Sequence, residues 1–199
     1  LSILKLLKGQ GAFAEVVSPA ELIMAQKAGF PINRLLYTAN NISDQEMHEV
    51  WKTGILFNIG SLSRLEKFGR EYSGSLVCLR FNPDVSAGEN KFVRTAGDLT
   101  KFGILMQDVP KVKKIVKKYN LKVIGLHEHT GSGIANTKKV FKSIKNILNI
   151  ADKKDFPELR FIDFGGGLKA PYEPDEKRIK YKSFGRVVCS MFGSFCKKD

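Results

Sequence analysis

Six short apolar runs, each followed by a longer amphipathic segment, restrict this chain more than any other feature. The runs are FAEVVS, LLYTAN, LFNIGS, LVCLRFNP, VIGLHEHTG and RFIDFGGG, rich in Val, Ile, Leu and Phe as buried strands require. Between them lie PAELIMAQKAG, DQEMHEVWKTG, SLSRLEKFGREY, DVPKVKKIVKKY and NTKKVFKSIKNILNIADKK, whose apolar positions recur at helical spacing. Ser18, Ser43 and Asn136 stand where helix caps belong, and Gly29, Gly54 and Asn120 where helices stop. Such alternation predicts a parallel sheet covered by helices. Nearly every strand ends in polar or glycine residues, namely Ser18, Asn40, Ser61, Asn82, His129 and Gly165. That end of a parallel sheet is where α/β folds place their chemistry.

Six strands suit an open doubly wound sheet, and a closed barrel of this class has eight. No GxGxxG turn marks the first strand–helix junction, and SILKLLKGQG reads as a helix with no strand before it. The sheet is therefore either open or a barrel that lacks both its ends. With 199 residues and 43% hydrophobic content the chain can bury a core of ordinary globular type. It has no apolar run of membrane-spanning length, so no membrane partner is expected. Three cysteines without a CxxC pair suit the reducing cytoplasm. The net charge of +13 raises a nucleic-acid reading, but the lysines in VPKVKKIVKKYN alternate with Val112, Ile115 and Val116 as on a solvated helix face. No nucleic-acid partner is expected. The stretch from Asp84 to Leu99 is long, polar and glycine-bearing, a length of loop that is usually functional.

The chemistry-bearing residues cluster late in the chain. Gly165, Gly166 and Gly167 directly follow a strand, which makes sense as a bare tight turn or as backbone that approaches an anion such as phosphate. TGSG after the preceding strand adds a second small-residue turn with a hydroxyl at Ser132, and two such turns can face one phosphate. His127 and His129 share one face of their strand. Metal binding would need ligands that neither His48 nor the cysteines supply at useful positions, so no metal is expected. The histidines are then either satisfied inside a polar barrel core, or one of them stacks on a planar cofactor ring. Arg80 shares a face with Cys78 and Asn82 and needs an acceptor, from an internal salt bridge or from a ligand oxygen. Lys101 is able in principle to form a Schiff base, but nothing in TKFGIL suggests the desolvation that would activate it.

In combination, EVVSPAELIMAQKAGF, LLYTANNIS, NIGSLSRLE, LRFNPDVSAGENKFVRTAGDLTKFGI, GLHEHTGSGI and FIDFGGGLKAPYEPDE resemble the PLP-dependent decarboxylases of the alanine-racemase-like barrel type. The resemblance runs from about Glu15 to Glu176 and is nearest to the diaminopimelate branch, because of the long loop carrying AG and RTAG. It implies an incomplete PLP-binding TIM (β/α)8 barrel with about six of the eight βα units, residues 1–199 being its central part. It also implies roles. His129 would stack on the pyridine ring of pyridoxal 5'-phosphate, Ser132 with Gly165, Gly166 and Gly167 would hold its phosphate, and Arg80 would sit by the ring's phenolic side. The implied reaction of the complete enzyme is decarboxylation of meso-2,6-diaminopimelate to L-lysine and CO2, by a cytoplasmic homodimer acting on a small amino acid.

Departures from the family pattern qualify this expectation. The family's Schiff-base lysine belongs to a strand motif upstream of Leu1, and its C-terminal β domain lies beyond Asp199. No catalytic residue is therefore assigned within these residues, and the chain as it stands is expected to be inactive. Glu15 stands where Asp is usual, and Gly60 where Asp is common. Other readings are a different amino-acid or polyamine-pathway decarboxylase, a degenerate PLP-binding protein, and a phosphate-binding barrel without PLP.

Overall fold

A computed structural model describes residues 1–85, 96, 101–176 and 178–197. The six expected runs form parallel strands: β1 (Ala14–Val16), β2 (Leu35–Tyr37), β3 (Leu56–Ile59), β4 (Leu76–Asn82), β6 (Lys122–Glu128) and β7 (Phe161–Asp163). They pair side by side in chain order, and a further strand of two residues, β5 (Ile104–Leu105), pairs with the end of β4. The sequence reading missed β5, because two residues after a long polar stretch carry no periodicity.

The choice between open sheet and barrel is settled by curvature. Six strands laid flat would put the two edges about 24 Å apart. Yet Glu15 on β1 and Asp163 on β7 both bring a carboxylate oxygen within 4.8 Å of a ring nitrogen of His127 on β6, and of each other. The sheet is curled into a half-barrel, and the side chains of its concave face meet at the axis.

Helices cover the convex face. α1 (Ser2–Gly9) precedes the first strand; α2 (Pro19–Lys27), α3 (Asp44–Trp51), α4 (Leu62–Glu71), α5 (Val109–Lys118) and α6 (Thr137–Ile150) follow as expected, and α7 (Tyr181–Cys196) closes the described chain. The hydroxyls of Ser18 and Ser43 accept from the N–H groups of Glu21 and Glu46, and Asn136 caps α6 through Lys138 N–H. Ser61 caps α4 in the same way, through Arg64 N–H. Val16, Leu35, Tyr37, Phe57, Val77, Leu79, Phe81, Val123 and Leu126 turn outward into the core beneath these helices. In α5, Val112 is buried while Lys111, Lys114, Lys117 and Lys118 are exposed, as the spacing predicted. Among the described residues no helix is long and apolar enough to cross a membrane.

One irregularity decides which way β6 faces. Val77 pairs with Val123 but Cys78 pairs with Gly125, so Ile124 is an extra residue in β6. The bulge reverses the parity of everything after it, turning His127 inward. Gly125 is demanded by the neighbouring strand, since a Cβ there would lie 2.2 Å from the Phe161 ring.

Candidate functional site

The concave face carries a connected polar layer. Asn58, at the centre of β3, donates from Nδ2 to Thr38 Oγ1 at 3.1 Å and to His127 Nδ1 at 2.8 Å. Thr38 in turn donates its hydroxyl to Glu15. Because the Thr38 proton is committed to Glu15, its oxygen must accept, and this fixes the orientation of the Asn58 amide. His127 Nδ1 is therefore an acceptor, and the ring proton resides on Nε2, 3.9 Å from Glu15 Oε1. Burial pushes the His127 pKa down to about 3, with the charges of Arg80 and His129 acting in the same direction. The ring is neutral near pH 7.

This layer bears on the expectation of no metal. The sequence reading looked for further ligands at His48 and the cysteines, whereas the fold brings Glu15 and Asp163 to His127 instead. The geometry is that of two carboxylates and one imidazole. The fixed tautomer, however, points an N–H into the cluster rather than a lone pair. Thr38 and Asn58 were missed altogether; a lone polar residue in the middle of the apolar run LFNIGS was the available signal for Asn58.

Above this layer, at the C-terminal tips of the strands, the two glycine turns are locked together. Gly166 donates its N–H to His129 Nδ1 at 3.3 Å. Ile134 N–H donates to Gly167 O at 2.8 Å, and Lys169 N–H to Ile134 O at 3.0 Å. Gly165 and Gly167 have left-handed backbones, with φ of 66° and 84°. A Cβ on Gly165 would stand 2.4 Å from Glu128 O, and one on Gly167 only 1.9 Å from Gly131 O. A Cβ on Gly166 would meet nothing within 4 Å. The outer glycines thus pack the turns against each other, and the central one presents bare backbone to open space.

His129, Ser132 and Gly165 to Gly167, which the sequence reading placed around one phosphate, lie together at the strand tips. Burial and the charge of Arg80 lower the His129 pKa, so its ring is also held toward the neutral form. Asp163 accepts from Gly165 N–H at 2.8 Å, tying the base of the turn to the inner layer. Burial raises its pKa against the lowering effect of that bond.

Arg80 is only 7% exposed and makes no ion pair within 4.0 Å among the described residues. Among the described residues, then, no carboxylate forms the salt bridge that the sequence offered as one alternative. Its guanidinium carbon lies 5.3 Å from the centre of the Phe102 ring. Burial lowers its pKa, and the more distant carboxylates of Glu15, Glu128 and Asp163 counter that. Lys101 is exposed, as the sequence suggested for a lysine with no desolvating surroundings. Cys78 is fully buried, and burial raises its thiol pKa out of the reactive range. The loop from Asp84 to Leu99 falls almost wholly outside the described residues.

A family model described as "Pyridoxal-dependent decarboxylase, pyridoxal binding domain" matches residues 1–199. Diaminopimelate decarboxylase of Methanothermobacter thermautotrophicus is 32% identical over 96% of this chain and 46% of its own length. The enzyme of the same name from Buchnera aphidicola subsp. Schizaphis graminum is 36% identical over 92% of the chain and 44% of its own length. Among solved structures, a point mutant of diaminopimelate decarboxylase from Helicobacter pylori complexed with L-lysine superposes with a TM-score of 0.85 at 26% identity, covering 95% of this chain and 50% of that one. The chain spans somewhat under half the length of the curated relatives it matches.

Proposed function

The chain belongs to the pyridoxal-dependent decarboxylase family, through its pyridoxal-binding domain, and from that membership we propose that it forms the cofactor-holding half-barrel of an enzyme converting meso-2,6-diaminopimelate to L-lysine and CO2. One observation carries the assignment: the hydrogen bond from Gly166 N–H to His129 Nδ1, which joins the two glycine turns to an imidazole at one strand tip.

The residues fit pyridoxal 5'-phosphate. A phosphate needs backbone that it can approach without a side chain in the way, and the open side of Gly166 offers that. Ser132, whose Cα lies beside Gly167, would add a hydroxyl donor from the second turn. The neutral ring of His129 would lie against the flat face of the pyridine, and Arg80 would contribute positive charge near its phenolic oxygen. When bound, the cofactor supplies an electron sink for the carbanion left by departing CO2. The inner layer of Asn58, Thr38, Glu15 and His127 holds its protons in a fixed pattern beneath that position. Its work is placement and electrostatics, not covalent chemistry.

The diaminopimelate reading over ornithine or arginine is supported by the relatives named above. Structures of arginine and lysine/ornithine decarboxylases also superpose, at 19–20% identity and TM-scores of 0.75–0.76, and those show the fold alone. The complete enzyme is proposed to work as a cytoplasmic homodimer. Release of CO2 by the full-length gene product from meso-diaminopimelate, ornithine, arginine and lysine, assayed side by side, tests the assignment. Turnover of diaminopimelate at least a hundred times faster than the others is expected; preference for a simple diamino acid would overturn it.

A further inference from the structure

We infer that a second cavity, at the tips of β2 and β3, binds a small oxyanion, either a carboxylate or a phosphate. It has a volume of about 340 Å³ and is lined by residues that include Asn40, Gly60, Ser61, Arg64, Lys67 and Lys101. It opens at the same end of the sheet as the glycine turns but on the other side of β4.

Among the described residues the cavity gathers more positive than negative charge. Asp44 accepts from Arg64 Nη1 at 3.0 Å and from Lys67, and is the only carboxylate that pairs with its cations among the described residues. Arg64 Nη2 also donates to Ile42 O at 2.5 Å, so this guanidinium is held in place before any ligand arrives. Lys101 has no acidic partner within 4.0 Å among the described residues. Its ammonium sits 5.3 Å from the Phe102 ring centre, and the guanidinium of Arg80 sits 5.3 Å from the same centre. Two cations thus share one ring. Arg80 runs beneath the cavity floor, since a Cβ on Gly60 would lie 3.7 Å from both its Cβ and its Cδ.

Cations gathered at a concave surface beside a buried guanidinium that pairs with no carboxylate among the described residues repel one another until an anion joins them. The hydroxyl of Ser61 and the first turn of α4 supply further donors at the wall. A hydroxyl beside ammonium and guanidinium groups suits an oxyanion better than halide. Two sources offer that chemistry: the far carboxylate of a dicarboxylic amino acid, and free phosphate. The inference does not depend on PLP binding.

Calorimetric titration of the 199-residue chain with inorganic phosphate and with glutarate tests it. The background should be Gly166→Ala, which blocks the glycine turns as an alternative anion site while clashing with nothing. Saturable binding of at least one anion is expected to persist there, and Lys101→Ala should weaken it roughly tenfold. Tighter glutarate binding would identify the substrate arm as the source, and tighter phosphate binding the free ion. Absence of saturable binding by both anions, or unchanged affinity in both Lys101→Ala and Lys101→Glu, sinks the inference. Failure here leaves the PLP assignment standing, because that rests on the turns this background disables.

Discussion

Gly167 and Gly131 approach so closely that a single methyl on Gly167 would come within 1.9 Å of the Gly131 carbonyl oxygen. The two strand-tip turns are built around that contact. Gly167→Ala adds the strain of a left-handed alanine to a backbone clash, and is expected to cost about 2–4 kcal/mol of stability. Gly166→Ala meets no atom and should stay within about 0.5 kcal/mol of the parent. Urea denaturation of the two variants checks the contrast. Equal destabilisation would mean that the central glycine is as packed as its neighbours.

Gly125→Ala makes a similar test lower in the half-barrel. The methyl would collide with the Phe161 ring, and the loss should be about 2–4 kcal/mol. The double variant Gly125→Ala with Phe161→Leu should recover part of that loss, read from the same denaturation midpoints. No recovery would place the cost elsewhere than in the ring contact.

Two buried groups give stability opposing pH dependences. Burial raises the Glu128 pKa from 4.5 to about 8, despite the hydrogen bond from Ser143 to its Oε1, and its Oε2 has no partner among the described residues. The native state therefore keeps a proton that the unfolded chain has lost, and stability falls as pH rises from about 4.5 to about 8. His127 is depressed from 6.5 to about 3, so the unfolded chain takes up a proton first as the solution is acidified. Its stability contribution is full above about 6.5 and is lost as pH falls toward 3. The slopes cancel between about 4.5 and 6.5. Glu128→Gln should remove the alkaline limb, gaining roughly 2–4 kcal/mol over the parent at pH 8 and little at pH 4.5. A pH-independent difference between the two proteins contradicts this.

How much of this was legible beforehand follows from what each feature depends on. The strands and the helix caps depend on neighbours in sequence, and LVCLRFNP or Ser43 before DQE states them openly. The glycine turns were legible because three consecutive glycines have few other uses. The bulge at Ile124 was hidden inside the unbroken apolar run VIGL. The meeting of Glu15 with Asp163 was hidden more deeply, since it arises from curl accumulated across the whole sheet. Thr38 and Asn58 sit side by side at the paired ends of β2 and β3, but Asn58 reaches His127 across β4 only through that curl, so their residue types alone did not pair them. Arg80 likewise reaches Phe102 from a separate strand, whereas Lys101 is the sequence neighbour of that ring.

The tautomer of His127 offers an independent check on that hidden layer. Nitrogen NMR of the labelled chain should find the ring proton on Nε2 from pH 5 to pH 8 without titration, as the low pKa and the Asn58 donor require. Asn58→Asp, which replaces the amide donor by a carboxylate acceptor, should move the proton to Nδ1. A proton already on Nδ1 in the parent would reverse the assigned direction of the network.

Pyridoxal 5'-phosphate and unphosphorylated pyridoxal, titrated in parallel into the chain and into Gly166→Ala, put the cradle to its most direct test. Tight binding by the chain that depends on the phosphate, with pyridoxal at least a hundredfold weaker and Gly166→Ala abolishing the difference, is the predicted result. Equal affinity for the two compounds, or a phosphate preference that survives Gly166→Ala unchanged, would contradict it.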